Sequence, residues 1–164
     1  MLLRMARHLA TTATRTRLLF SPSVCQRIET AITEAERQHC GEIRFAVETA
    51  LPMPRVMSGL TPRARALQLF AQLHVWDTEA NNGVLIYVLR ADRAIEIMVD
   101  RGISARTPDV EWQALAREAE THFRSGRYAD GALAAIDGVA RVLSRHFPRH
   151  DSGPNELPNQ PVLL

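Results

Sequence analysis

The segment from residue 81 to residue 102 constrains the fold of this chain more than any other part of the sequence. After Asn81-Asn82-Gly83, every residue at 84–89 is apolar, and a short polar turn at 90–93 leads into an alternating run at 94–100. A strand that is apolar on both sides is typical of the covered centre of a sheet. Two strands joined by so short a turn must be antiparallel neighbours. The segment therefore predicts a hairpin at the centre of a sheet.

A third strand is predicted before the hairpin, where apolar and polar residues alternate from Glu42 to Thr49. Between this strand and the hairpin, Thr61-Pro62 is typical of a helix start, and an apolar stripe continues to about Val75. A helix between two neighbouring strands predicts a parallel, right-handed crossover. Other helices are predicted from Ser21-Pro22 to Gly41, from Asp109 to Ser125 and from Tyr128 to Arg145. The predicted fold is α/β, a small mixed β-sheet (parallel crossover plus antiparallel hairpin) with helices packed on its faces.

The length of 164 residues suits one domain. We place that domain at residues 21–147 and expect a basic lead-in segment at residues 1–20. After Phe147 the composition shifts to Pro, Asn, Asp and Gly, which predicts a disordered tail over residues 148–164.

The lead-in segment contains arginines but no acidic residue. His8, Arg15 and Arg17 interrupt its apolar runs, so it lacks the pattern of a secretory signal. Two interpretations remain: a helix that packs on the domain, and a basic amphipathic helix that lies on an anionic membrane surface. No apolar run approaches the roughly 20 residues of a transmembrane segment.

Charge and cysteine content restrict the partners and the compartment. All 20 Lys and Arg residues are arginine, yet the net charge is only +2 and no arginine cluster alternates with aromatics, so we expect no nucleic-acid partner. Cys25 and Cys40 lie at distant positions of one predicted helix, beyond disulfide reach. We therefore expect reduced thiols and a cytoplasmic protein, with a location peripheral to the membrane as the alternative.

The predicted topology brings several polar residues to one edge of the sheet, where the central strand begins and the third strand ends. Oxygen ligands there suit Ca²⁺ or Mg²⁺, and such a cation would activate water for phosphoester hydrolysis. The alternative is that these residues only shape turns and pair with Arg101. His39, expected to stabilise a helix C-terminus, and Glu42 are predicted on the same edge. The candidate metal ligands are Asp77, Glu79, Asn81, Asn82 and Asp100.

Three segments of the chain, taken together, resemble the TPM-domain family. They are residues 41–45 (Gly-Glu-Ile-Arg-Phe), the hairpin with its flanks at 82–103, and the helix junction at 123–131. The resemblance implies an α/β domain. Members of that family include a thylakoid-lumen protein of photosystem II repair with proposed phosphatase activity, and some bind divalent cations through acidic residues. This chain is similar to a short, soluble bacterial branch, but Asn81 replaces the aspartate that commonly precedes Asn-Gly.

The sequence contains no GxSxG motif, phosphate-binding loop or Cys-His nucleophile pair. Our leading hypothesis is therefore a non-catalytic or marginally catalytic interaction module that works with a protein or membrane-associated partner. Two alternatives are a weak divalent-metal-dependent phosphatase and a peripheral membrane protein held by residues 1–20.

Overall fold

A computed structural model describes residues 1–149 and 154–164 of the chain. The described residues form eight α-helices, four strands and one 3₁₀ turn. The helices are α1 (Leu2–Ala10), α2 (Ala13–Leu19), α3 (Pro22–Glu36), α4 (Met53–Met57), α5 (Pro62–Gln72), α6 (Arg101–Ser104), α7 (Asp109–Arg124) and α8 (Tyr128–His146). The strands are β1 (Glu42–Glu48), β2 (Gly83–Leu89), β3 (Ala94–Val99) and β4 (Val162–Leu163), and the 3₁₀ turn is Arg90–Asp92.

The sheet has the strand order β3-β2-β1-β4 and confirms the predicted mixed topology. Strand β2 is antiparallel to β3, with Ile86 opposite Ile97, and parallel to β1, with Ile86 beside Phe45. Every residue of β2 is buried, as expected for a strand covered on both sides. The hairpin turn contains Arg93 in a left-handed conformation (φ 54°), which closes the 3₁₀ turn before β3.

Helices cover both faces of the sheet and produce two hydrophobic cores, as predicted. The larger core joins one face of β1, β2 and β3 to α3, α7 and α8, with Trp112 and Phe123 among its largest side chains. The smaller core joins Leu85, Tyr87 and Leu89 on the opposite face to α4 and α5. This three-layer arrangement leaves the two ends of the sheet as the places where polar side chains can gather.

Helix α3 ends earlier than predicted, at Glu36 rather than at Gly41. The Glu36 carboxylate accepts a hydrogen bond from the Ile43 amide at 2.8 Å, which draws the chain back toward β1. The Cys40 amide then donates to the Phe147 carbonyl at 2.9 Å. These tertiary hydrogen bonds replace the last helical turn, so Cys40 lies outside the helix. Both cysteines are free thiols.

The prediction of a disordered tail is wrong for the described part of that segment, and residues 150–153 lie outside the described residues. Val162–Leu163 form β4, which pairs with β1 in parallel. Leu157 is buried in the smaller core, and the Arg44 guanidinium donates to the Pro158 and Gln160 carbonyls. The apolar end of the tail therefore completes the sheet, although the composition before it is typical of disorder.

Candidate functional site

Polar residues gather at the end of the sheet where β1 and β2 begin, as the predicted topology requires. Glu42 lies beside Gly83 in the register, and the Asp100 amide donates to the Gly83 carbonyl at 2.9 Å. We call this region the strand-entry rim; it comprises residues 77–82 and 100–102 together with His39 and Glu42.

Asn81 and Arg101 form one half of the rim. Asn81 has a left-handed backbone (φ 51°), and its side-chain oxygen accepts a hydrogen bond from Arg101 Nε at 2.7 Å. The Gly102 amide donates to the Asn81 carbonyl at 3.0 Å, and a Cβ at Gly102 would lie only 2.5 Å from that oxygen. Glycine is therefore required for this close approach. The side-chain oxygen that a cation would need from Asn81 is already used by a guanidinium.

Asn82 and Asp100 each have one buried oxygen without a hydrogen-bond partner among the described residues, Oδ1 of Asn82 and Oδ2 of Asp100. The rest of each side chain is held in place. The Asn82 amide group donates to the Cys40 carbonyl, and the other Asp100 oxygen accepts from the Arg101 backbone N–H at 2.7 Å. An unsatisfied buried oxygen costs free energy unless a further donor or a cation approaches it.

Asp77 and Glu79 are exposed in the loop before β2. Neither side chain forms a hydrogen bond or ion pair with the other three predicted ligands, all of which are described residues. The Glu79 backbone amide instead contacts the C-terminal segment, where it donates a hydrogen bond to a Glu156 carboxylate oxygen at 2.9 Å. Within the described ranges there is no group of three or more His, Cys, Asp or Glu side chains arranged to hold a metal ion. The Ca²⁺ or Mg²⁺ site therefore stays a prediction.

His39 and Glu42 line a cavity of about 380 Å³ with Glu79, Asn82 and Glu156. Burial lowers the pKa of His39 to about 4, so the ring is neutral at pH 7 and cannot act as the cationic helix partner that we predicted. Burial raises the pKa of Glu42, and hydrogen bonds from the Leu157 and Glu156 amides oppose that rise. The tail thus crosses the rim and binds one of its carboxylates.

At the opposite end of the sheet, helix α1 is attached through its polar face to Asp92 in the hairpin turn. The Arg4 guanidinium donates to both oxygens of Asp92, at 2.8–3.1 Å, and to the Leu60 carbonyl at 2.7 Å. His8 accepts from the Leu51 amide through Nδ1 at 3.0 Å, so its Nε2 carries the proton and donates to Asp92 at 3.2 Å. Burial alone would raise the pKa of Asp92, but these partners lower it below its usual value.

The strand order, the hairpin and the helix pairs on the sheet agree with one family model. The model for the TPM domain matches residues 14–142, which is more than half of the chain. The chain belongs to the TPM-domain family. Among curated proteins, none is significantly similar to it.

Two solved structures are similar to this TPM domain. The BA42 protein of the psychrophilic bacterium Bizionia argentinensis is 28% identical, with a TM-score of 0.76 over 87% of this chain and 94% of the other. The N-terminal domain of a protein from P. gingivalis is 22% identical, with a TM-score of 0.63 over 81% and 83% of the two chains. The second likeness shows the fold alone.

The orientation of α1 on this TPM domain leaves its apolar side in solvent. The Leu2, Leu3 and Leu9 side chains are 82%, 74% and 73% exposed, whereas His8 on the other side of the helix is buried. We call these three residues the exposed leucine face. Helix α1 packs on the domain, as in one of the two interpretations of the lead-in segment, but it does so through its polar side. This orientation arises because the carboxylate of Asp92 pairs with the basic side chains of α1.

In the described part of the TPM domain, no helix combines the length and apolarity that crossing a membrane requires.

The polar groups that sequence reasoning missed are those that meet at the hairpin turn. Asp92 was assigned only to a tight turn, and the arginines around it come from distant segments. A carboxylate in the short turn after a buried strand is the signal in the sequence that could have indicated this cluster.

Proposed function

We propose that this TPM domain is a non-catalytic interaction module of the cytoplasm whose N-terminal helices bind an anionic membrane surface. The supporting observation is the inverted orientation of α1, with Arg4 and His8 on the domain and the exposed leucine face in solvent.

The exposed leucine face is costly in water and favourable in a lipid interface. Burying a leucine side chain contributes roughly 1.5–3 kcal/mol, which all three residues forgo in solvent. A helix held by its polar face, with its apolar face outward, has the geometry of an interfacial helix lying in the plane of a bilayer. Leu18 on helix α2 is also 74% exposed.

The charges around the leucines favour anionic lipid over a neutral apolar partner. Residues 1–20 contain no acidic side chain, and Arg7, Arg15 and Arg17 are exposed. Arginines beside an apolar helix face add electrostatic attraction to acidic headgroups, about 1 kcal/mol for each side chain near the surface. The exposed arginines and the exposed leucine face therefore both favour an anionic membrane surface.

We expect the protein to bind vesicles that contain an anionic phospholipid and to bind neutral phosphatidylcholine vesicles weakly. Replacing the exposed leucine face (Leu2→Ser, Leu3→Ser, Leu9→Ser) should reduce partitioning roughly tenfold or more, because the apolar contribution to interfacial binding is lost. Vesicle flotation at physiological salt measures the partition. The matched control is Leu67→Ser with Val110→Ser, since these exposed residues lie on other helices.

Equal partitioning of the leucine variant and the control would contradict this function. A leucine variant that keeps its vesicle binding but changes its oligomeric state, measured by light scattering, would instead assign the face to a second copy of the chain.

A second candidate function is divalent-cation binding at the strand-entry rim, with weak phosphatase activity as its consequence. It is supported by Oδ1 of Asn82 and Oδ2 of Asp100, two buried oxygens that have no hydrogen-bond partner among the described residues. A bound cation would polarise a phosphoryl oxygen and lower the pKa of a bound water. The predicted ligands suit a cation only in part, because the side-chain oxygen of Asn81 already accepts a hydrogen bond from Arg101.

We expect calorimetric titration with Ca²⁺ and Mg²⁺ to give binding that is weakened at least roughly tenfold in Asp100→Asn, which loses one carboxylate ligand. The asparagine keeps an oxygen for the Arg101 amide, so the start of α6 is preserved. Asp137→Asn is the control, because this exposed carboxylate lies on α8, outside the strand-entry rim. Identical titrations of the wild type and Asp100→Asn would remove this candidate.

A further inference from the structure

A cavity of about 490 Å³ lies beyond the carboxyl end of β2, between α1, α2, the hairpin turn and the junction of α7 and α8. Five of its thirteen lining residues are arginines and none is acidic. Ligands of open α/β sheets bind outside the carboxyl ends of the strands, which is where this cavity opens. We call it the arginine pocket; its cationic residues are Arg7, Arg15, Arg90, Arg93 and Arg124.

The charges of the arginine pocket are incompletely neutralised within the described chain. Arg7 is 3.8 Å from Asp92, which it shares with Arg4, and Arg124 pairs with Glu120 in its own helix at 3.1 Å. Arg15, Arg90 and Arg93 form no ion pair with any described carboxylate. Gathering like charges raises the electrostatic energy of the folded chain unless an anion binds among them.

Arg90 is the buried member of this group. It is only 9% exposed, and its Nε has no hydrogen-bond partner among the described residues. One Nη is held 3.3 Å from both the Thr12 carbonyl and Thr16 Oγ1, which fixes the plane of the guanidinium. A buried guanidinium normally has its donors paired, so the free Nε indicates a missing acceptor.

We propose that the arginine pocket is a binding site for a phosphoryl-bearing anion. The arginine guanidinium matches phosphate through paired N–H donors, and several arginines around one cavity suit a dianion or polyanion better than a chloride ion. The cavity volume lies within the range of small-molecule sites. Tyr128, whose ring stacks on buried Phe123 with centroids 5.2 Å apart, adds an aromatic ring to the pocket lining, and its hydroxyl interacts with the Arg90 guanidinium.

Two sources supply this chemistry: a soluble phosphorylated compound and the headgroup of an acidic phospholipid. Arg7 lies on α1 one helical turn from Leu3 of the exposed leucine face, so a headgroup would deepen the membrane function proposed above. The phosphoryl site itself does not depend on that function, because none of its arginines is a residue of the leucine face.

The test uses the full chain with inorganic pyrophosphate as a soluble probe. We expect pyrophosphate to shift the amide resonances of residues 90–93 and 124–128 in titrations followed by nuclear magnetic resonance. Arg15→Glu should weaken binding roughly tenfold or more, about 1.4 kcal/mol, because it reverses one charge of the pocket. Arg15 is exposed, so this variant should fold even if Arg90→Gln, the second variant, does not. Arg27→Glu on α3 makes the same change of net charge away from the pocket.

Specific weakening in Arg15→Glu or Arg90→Gln, with Arg27→Glu unchanged, supports the site. No shift at millimolar pyrophosphate, or equal weakening in Arg27→Glu, overturns it. Vesicles containing phosphatidic acid distinguish the two sources: competition with pyrophosphate assigns the pocket to a headgroup, and its absence assigns the pocket to a soluble ligand. A leucine-face variant that binds pyrophosphate normally but not vesicles separates the membrane function from this one.

Discussion

Replacing Glu48 with alanine is expected to lower the free energy of unfolding by about 3–5 kcal/mol, because it breaks a buried ion pair on one side only. Glu48, at the end of β1, accepts from Tyr87 Oη at 2.6 Å and from Arg65 Nε and Nη2 at 2.9 and 3.0 Å. Burial and the Glu48 carboxylate raise the pKa of the Tyr87 hydroxyl well above its usual range, so it remains a donor. Alanine at position 48 would leave the Tyr87 hydroxyl and the Arg65 guanidinium without this acceptor.

Two further variants serve as references for this prediction. The free energy of unfolding of all three variants is measured by urea denaturation monitored by circular dichroism. Tyr87→Phe removes one donor but leaves Glu48 paired with Arg65, so we expect a loss of only about 1 kcal/mol. Glu34→Ala removes an exposed carboxylate whose partner Arg37 is also exposed, and we expect a change within about 0.5 kcal/mol. A loss in Glu48→Ala no larger than that in Glu34→Ala would show that the buried cluster does not stabilise the sheet.

Replacing Asp92 with alanine is expected to release α1 from the domain and to lower the free energy of unfolding by about 3 kcal/mol. The change removes the acceptor of Arg4 and of His8 Nε2, and it leaves the partly buried Arg4 and the buried His8 without a carboxylate. Hydrogen exchange should show that the α1 amides lose their protection. The β2 amides should still exchange only through global unfolding.

The stabilisation from Asp92 should also depend on pH in a defined direction. Its pKa is lower in the folded protein than in the unfolded chain, so its contribution is fully present above the unfolded value of about 4. The contribution is lost as the pH falls through the lower, folded value. The difference in stability between wild type and Asp92→Ala should therefore shrink below about pH 4. Asp137→Ala, which breaks an exposed pair with Arg141, is the control and should leave α1 protected.

The central architecture was predictable because it depends on local periodicity. The apolar run at 84–89 and the alternation after residue 93 determined the hairpin, and the helix before it required the parallel crossover with β1. The observed strand ends differ from the predicted ones by a single residue. The Ser21 and Thr61 caps also start their helices as predicted, accepting from the Val24 and Ala64 amides.

The parts that were not predictable depend on contacts between distant segments. Hydropathy left two interpretations of residues 1–20 open, and only the position of Asp92 in the fold turns the polar side of α1 to the domain. The strand-entry rim was predicted as a location, but which oxygens stay free depends on the Arg101 side chain and the Cys40 carbonyl. The arginine pocket joins four separate stretches of sequence, so no linear pattern indicates it.

Strand β4 has a consequence for how the chain reaches its native state. It pairs with β1 from the opposite end of the sequence, and the Leu164 amide donates to the Val47 carbonyl at 2.8 Å. During synthesis the ribosome therefore releases β1 with one edge uncovered, and that edge stays open until residues 162–164 emerge. Contacts of such long range close late, because a large loop must be ordered first. An unpaired edge is also a template for pairing with other chains. The nascent protein is thus expected to be most prone to self-association after β1 has emerged from the ribosome and before β4 has emerged.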